Sequence, residues 1–358
     1  MYAVIMAGGK GARFWPRSRE KKPKHLLDIL SEKTIIQETV DRIKQLISPD
    51  NILVVTGKKH ARTLIKQLPE IPLRNIIIEP EGKNTAACIG LAALHIRKMV
   101  PDDIMVVLPS DHAINDSRKF ISVINAAANV AAQENGLVTI GIKPSSIQTG
   151  FGYIEQANSF KRLADEEVFR VKSIREKPGF QQAAEFVQSG NFFWNSGMFI
   201  WKASVILKEI ERWLPDLYAG LAKINEALGS PREAAIVPRV YKKLASVSID
   251  YGVMEKADNV FMIPGDFGWS DVGSWDALWE ISPKDIKNNV LLSDSQAILE
   301  DSEGSLVYSP RKLTALVGVK DLIIVETKDA LLICKKGRSQ DVKKIVEKMD
   351  AEKIKKYL

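Results

Sequence analysis

Three glycines and a run of basic side chains follow the first strand-like segment of this sequence. The stretch reads Ala7-Gly8-Gly9-Lys10-Gly11-Ala12-Arg13-Phe14-Trp15-Pro16, with Pro23-Lys24 a little further on. Glycines directly after a strand let main-chain N–H groups approach an anion closely. Arg13 offers a planar fork to phosphate oxygens, and Lys24 adds a point charge. Lys10 to Lys24 holds seven Lys/Arg against one Glu, a balance suited to a polyanionic small molecule. No Gly-Lys-Ser/Thr closes the loop, so it is not a P-loop. Nor is it the dinucleotide fingerprint, which needs G-x-G-x-x-G opening a helix and an acidic residue roughly 20 positions on.

Two aspartates stand far apart in the chain at comparable places. Leu108-Pro109-Ser110-Asp111-His112 ends a buried strand, and an Asp there is placed to hold a metal over a nucleotide. Trp269-Ser270-Asp271-Val272-Gly273-Ser274-Trp275 offers a second Asp in a turn framed by Gly and Trp. Mg²⁺ takes one or two carboxylates and completes its shell with phosphate oxygens and water. The plainer readings are an Asx-turn at Asp111 and a helix cap at Ser270 or Asp271. Glu79-Pro80-Glu81-Gly82-Lys83-Asn84-Thr85-Ala86 ends another strand. Asn84 or Thr85 suits an N-cap, and Glu81 could accept from a guanine N1–H and amine. Gly150-Phe151-Gly152-Tyr153, Glu176-Lys177-Pro178 and Asn195-Ser196-Gly197 supply carboxylate, amide, main-chain and ammonium groups of the kind a sugar phosphate needs. Turns and bulges use the same residue types.

The elements that must position these residues are legible as an alternation. Tyr2–Met6, Ile52–Thr56, Asn75–Glu79, Ile104–Leu108 and Leu137–Ile142 are short Val/Ile-rich runs. Amphipathic stretches lie between them: Ile35–Leu46, His60–Leu68, Thr85–Met99 and Arg118–Gln133. This βαβ pattern predicts an α/β fold with a mostly parallel, Rossmann-like sheet flanked by helices. Ligands of such sheets sit beyond the carboxyl ends of the strands, where the motifs lie. From Gly150 to about Pro283 the pattern is mixed, with strands at Gly152–Gln156, Phe169–Glu176, Phe192–Trp201 and Val260–Pro264. After Ile286, short β runs recur about every eight residues. They predict a small β domain, a short β-helix being one form, and then a helix from Ser339 to Tyr357. The expected domains are 1–283, catalytic, and 288–358, β-rich with the terminal helix.

Composition narrows the classes. Of the net +7, the loop at Lys10–Lys24 and the segment after Lys335 carry all the excess, so the remainder is acidic. No basic stripe interleaved with aromatics runs along the chain, and no nucleic-acid partner is expected. No apolar run approaches the roughly 18 residues of a membrane span, and Met1–Met6 lacks the basic region of a signal peptide. Two cysteines build neither a disulfide framework nor a metal cluster, which fits a reducing cytoplasm.

Taken in order, these motifs resemble the sugar-1-phosphate nucleotidylyltransferases, and within them the bacterial mannose-1-phosphate guanylyltransferases. The similarity spans roughly Met1 to Trp279. Its selective pieces are Phe14-Trp15-Pro16-Arg17-Ser18, Glu79 to Ala86, Pro109 to His112, Ser248-Ile249-Asp250-Tyr251 with Val253-Met254-Glu255-Lys256, and Gly268 to Trp275. The resemblance implies GTP and mannose 1-phosphate as substrates and Mg²⁺ as cofactor. It implies that Gly8, Gly9, Gly11, Arg13 and Lys24 bind the triphosphate, Arg13 and Lys24 stabilising the reacting and leaving phosphates. Glu81, Asn84, Thr85, Ala86 and Ser110 complete the nucleotide site. Asp111 and Asp271 hold the metal. Glu176 and Asn195 meet sugar hydroxyls, Lys177 the sugar phosphate, and Gly152 brings main chain close to the sugar. A homodimer is expected. His25 stands where the family often has Gln, and Gly252 where Ala is more usual. Many relatives also carry a cupin isomerase domain; the segment after Ile286 has no cupin His cluster, so no isomerase activity is expected. On this reading Asp111→Asn cuts kcat by on the order of 10² or more, the scale lost with a key electrostatic group. Near-normal steady-state turnover would remove the metal role.

Overall fold

The computed structural model describes residues 1–9, 11–163, 165–293 and 295–358. The chain forms two compact units. One comprises Met1–Gly8, Arg42–Pro109 and Ile114–Trp269; the other comprises Gly9–Asp41, Ser110–Ala113 and Ser270–Leu358. Among the described residues, no helix is long and apolar enough to cross a membrane.

The first unit is built on a nine-stranded sheet. Tyr2–Ala7, the first strand, pairs in parallel with Ile52–Gly57 on one side and Ile104–Pro109 on the other. Ile76–Glu79 adds to Ile52–Gly57, again in parallel. The strand order therefore reverses at Tyr2–Ala7, the kind of switch point where α/β sheets take ligands. Beyond Ile104–Pro109 the sheet becomes mixed. Phe192–Lys202 inserts antiparallel to both Ile104–Pro109 and Leu137–Ile142. Val260–Pro264 runs parallel to Leu137–Ile142. The hairpin Gly152–Leu163 with Glu166–Glu176 closes that edge and is longer than its apolar pattern, because its outer halves alternate with polar residues. The helix Asn84–Met99 buries an all-round Ala/Leu/Ile surface against the sheet and the helices Ala203–Trp213 and Pro215–Ala227. Apolar residues on every side mark a fully covered helix.

The second unit holds the short β coils. Val290–Leu291, Leu306–Tyr308 and Leu322–Glu326 stack in parallel, and Leu331–Lys335 adds antiparallel. Ala297–Glu300 stacks in parallel on Thr314–Val317. Two strands per coil explain the eight-residue recurrence, since hydrogen bonds between coils such as Leu322 N to Ser305 Oγ link residues 17 apart. Buried Asn289 joins the coils: its Nδ2 donates to the Asp285 carboxylate and the Ser302 carbonyl, while its Oδ1 accepts from Ser305 N. The helix expected over Ser339–Tyr357 is shorter. It runs Val342–Ala351, with single 3₁₀ turns at Ser339–Asp341 and Lys355–Tyr357. Lys353 adopts a left-handed φ of 59°, which ends the helical hydrogen bonding before the tail. Asn289→Ala strands a buried donor and a buried acceptor, so it should cost about 2 kcal/mol. A lowered urea midpoint for the second unit's transition checks this; an unchanged midpoint denies Asn289 that role.

Candidate active site

The glycine turn enters the second unit at Gly9, whose φ of 93° is a conformation glycine takes freely. Gly8 and Gly9 have open space where a side chain would stand, room for a ligand's phosphate to reach the main chain. Gly11 is different. At φ 59° it lies flat against Lys24, and a Cβ there would meet the Lys24 Cβ at 2.7 Å and its main-chain N at 2.8 Å. Gly11 thus sets how close the loop comes to the lysine. Arg13 stays exposed in the 3₁₀ turn Ala12–Phe14.

Lys24 is buried, and its amine is committed to two partners. It lies 2.9 Å from the Asp111 carboxylate and donates at 2.5 Å to the Asp271 carbonyl. The two aspartates read from distant motifs are therefore gathered around one cation. Burial would raise the Asp111 carboxyl, but Lys24, His112 and His25 outweigh it and hold it below the usual range. Asp271 goes the other way: burial first, and the Asp111 charge against Lys24, leave its carboxyl raised. Asp271 also accepts from Gly273 N at 3.1 Å, an Asx-type turn, while Ser274 caps the helix Trp275–Ile281. The cap reading thus belongs to Ser274 and leaves the Asp271 carboxylate free of it. Ser110 lies buried beside Asp111 with its Oγ unpartnered among the described residues.

These groups fit a divalent cation. Two carboxylates lie near enough to interact, the Asp271 one raised first by burial and then by the Asp111 charge, and a 2+ ion would favour both charged forms. Among the described residues no set of three or more His, Cys, Asp or Glu gathers. A site of this kind suits an ion that completes its shell with phosphate oxygens and water.

In the first unit, the sugar-phosphate candidates meet at the hairpin edge. Gly152 pairs with Glu176, and a Cβ on Gly152 would collide with the Glu176 carboxylate. Lys177, at a left-handed φ of 50°, bonds Glu176 at 2.9 Å. Burial would lower the Lys177 amine, but Glu176, with Tyr251 and Asp250, more than reverses that and raises it. Asn195 donates to Asp250 at 2.7 Å and accepts from Gly197 N and the Thr139 hydroxyl, which fixes its amide orientation. Asp250 and Glu255 hold these groups, yet their sequence alone assigns them no role. Glu255 accepts from Glu176 N at 2.8 Å. Their signal is the acidic pair inside Ser248–Lys256; the structure adds that Asp250–Met254 is a π-helical turn, a distortion found at functional sites.

Glu81, Asn84, Thr85 and Ala86 occupy the loop after Ile76–Glu79. Neither Asn84 nor Thr85 caps the helix: Lys83 holds the N-cap position, and Asn84, at φ 66°, turns its Oδ1 onto Thr85 N. The Thr85 hydroxyl accepts from Ile249 N, and Ala86 N donates to Val247 O. Buried Tyr241 donates to Glu79, and Lys83 donates to the Lys242 carbonyl. The loop is thereby fastened along the Tyr241–Ile249 segment. Glu81 remains exposed, 3.8 Å from the Lys83 amine.

The sequence pattern of the nucleotidyl transferase family matches residues 2–288, and that of the mannose-phosphate isomerase/GMP-like β-helix domain matches 295–349. A mannose-1-phosphate guanylyltransferase of Klebsiella pneumoniae is 40% identical over 347 residues, covering 96% of this chain and 73% of that protein. The chain belongs to the nucleotidyl transferase family, among the mannose-1-phosphate guanylyltransferases. It is a nucleotidyltransferase enzyme. The Escherichia coli mannose-1-phosphate guanylyltransferase is likewise 40% identical over 96% of this chain and 73% of its own. A Thermus thermophilus protein described as a mannose-1-phosphate geranyltransferase superposes with a TM-score of 0.86 at 30% identity, covering 98% of this chain and 99% of that one. A nucleotidyl transferase fold with a β-helix module thus accounts for both units' strands.

Burial, and after it the Glu176 charge, push the Asp250 carboxyl up to about 6. Between the ordinary value of 3.8 and about 6, the folded chain holds a proton that the unfolded chain has released. This contribution to stability is present at low pH and lost as pH rises through that window. Asp250→Asn keeps an acceptor for Asn195 and carries no titrating group. Its stability should therefore gain on the parent's from pH 4 to pH 6 in urea denaturation. A difference that stays flat with pH would refute the assignment.

Proposed function

We propose that this enzyme transfers GMP from GTP to mannose 1-phosphate, releasing GDP-mannose and pyrophosphate. The observation that carries the reading is the gathering of Asp111 and Asp271 around Lys24 beside the glycine turn. Main-chain N–H groups of the Gly8, Gly9 and Gly11 turn cradle the triphosphate, and Arg13 grips it from the exposed side. Lys24 keeps a third N–H beyond the two it uses, and this one is available to a phosphate oxygen. Asp111 and Asp271 are the residues that would hold Mg²⁺. Bound there, the ion supplies charge neutralisation between two anionic substrates. Ser110 offers the nucleotide its hydroxyl, which has no partner among the described residues, and Glu81 faces the guanine edge from the loop that also carries Asn84, Thr85 and Ala86.

On the acceptor side, Glu176 and the oriented Asn195 amide take sugar hydroxyls. Lys177 takes the sugar phosphate, and Gly152 keeps the hairpin close to the ring. A phosphate oxygen of mannose 1-phosphate attacks the α-phosphorus in line and pyrophosphate leaves. That oxygen is ionised at neutral pH, so the chain needs no general base. Catalysis is then positioning and electrostatic stabilisation. A panel of four nucleoside triphosphates against several sugar 1-phosphates, scored by pyrophosphate release, tests the reading. GTP with mannose 1-phosphate should give the highest kcat/KM. A different best pair would reassign the substrates, and no release with GTP and mannose 1-phosphate would overturn the reading.

A further inference from the structure

The residues after the glycine turn are held by the far end of the chain. Trp15 Nε1 donates to the Tyr357 carbonyl at 2.9 Å, and Arg19 Nη1 donates to the same oxygen at 2.8 Å. The other arm of Arg19 reaches Asp329 at 2.8 Å, and Asp329 is itself fixed by the Thr327 hydroxyl. The Arg19 guanidinium lies 5.4 Å from the centre of the Trp15 ring. Trp15 is held at its main chain too, because Trp275 Nε1 donates to the Trp15 carbonyl at 3.1 Å. The tail is directed to this position by its own turn. Ile354 N bonds Met349 O, and the 3₁₀ turn Lys355–Tyr357 then presents the Tyr357 carbonyl.

We propose that the segment Ile354–Leu358 is a positioning element for the triphosphate loop, acting through the main-chain carbonyl of Tyr357 rather than through a side chain. The idea rests on the phosphate-binding role given to Gly8–Arg13 above. Its logic is one of satisfaction. Trp15 is mostly buried, and removing the tail takes away the acceptor of its indole N–H. Arg19 would keep Asp329 and lose the bond that turns its guanidinium over Trp15. The turn Gly11–Trp15, closed by Phe14 N to Gly11 O and Trp15 N to Ala12 O, would then keep the Trp275 bond to its main chain and lose the bond that fixes the Trp15 indole. A loop that must present N–H groups to an anion binds more weakly when it has to be ordered at each encounter.

The test compares the full chain, a chain ending at Lys353, and Tyr357→Ala in the full chain. Truncation should raise KM for GTP on the order of tenfold, with KM for mannose 1-phosphate within about twofold. Tyr357→Ala keeps the carbonyl and should match the parent. Hydrogen exchange without substrates gives a second measurement: the amides of Phe14, Trp15 and Ser18 should exchange faster in the truncated chain, while the amides of Tyr2–Ala7 do not. Unchanged exchange at those three amides overturns the proposal whatever the turnover. So does equal damage from Tyr357→Ala and truncation, which would make the side chain the active part. A full chain that turns over no GTP counts against the reaction assignment; the exchange result still decides the tail's role.

Discussion

The candidate site depends on one buried amine. Lys24 reaches the Asp111 carboxylate and the Asp271 carbonyl, a partner 247 residues away in the chain. Two carboxylates that repel one another stay together only where a cation or strong donors offset the repulsion. Lys24 does this in the folded protein and leaves the pair short of positive charge, with Asp111 held low and Asp271 held high. Gly11 completes the arrangement by geometry, since any larger residue would press on the lysine's own main chain.

The Glu176–Lys177–Asn195–Asp250 cluster has the opposite charge balance. Here two acids, Glu176 and Asp250, lie near Lys177, and burial, with the Glu176 charge after it, raises the Asp250 carboxyl. Asn195 bridges the difference by donating to Asp250 while accepting from Gly197 and Thr139. Asp250 directly follows the segment that fastens the Glu79–Ala86 loop through Tyr241, Lys242, Val247 and Ile249. One stretch of chain therefore fastens the Glu79–Ala86 loop and orients the Asn195 amide. That stretch ends in the π-helical turn that starts at Asp250.

Much of this is legible in the sequence, for a physical reason. Strands buried on both faces must be apolar along their whole length, and the apolar runs Leu137–Ile142 and Val260–Pro264 match their strands to the residue. What is not legible is partnership. Phe192–Lys202 carries the same apolar signal, yet nothing local says that it inserts antiparallel between two strands that would otherwise be neighbours. Asp250 and Glu255 look like surface acids until Asn195 and Glu176 are brought to them. The last helix ends earlier than its pattern suggests because Lys and Glu continue the helical composition through Glu352–Lys356. The left-handed residue that ends it, Lys353, is no Gly or Asn to announce the stop.

The glycine turn explains why so much structure is spent around it. Gly8 and Gly9 touch nothing a side chain would touch, so the turn cannot be stiffened from within. Each glycine also carries an ordering cost of about 0.5–1 kcal/mol relative to alanine. Rigidity must then come from neighbouring residues. Ser18 Oγ donates to the Gly11 carbonyl at 2.7 Å, and Ser18 N to the Phe14 carbonyl. Phe14 packs on Trp275 at 4.9 Å, and Trp275 holds the Trp15 carbonyl. Arg17 bonds Asp28 and lies over Tyr308, a residue of the β coils. The anchors from distant sequence, Trp275, Tyr308, Asp329 and Tyr357, therefore all come from residues after Ser270, although the glycines that need anchoring come from the first eleven. The β-rich segment serves the turn mechanically, which is why Gly9–Asp41 and the chain's last residues are folded into the same unit.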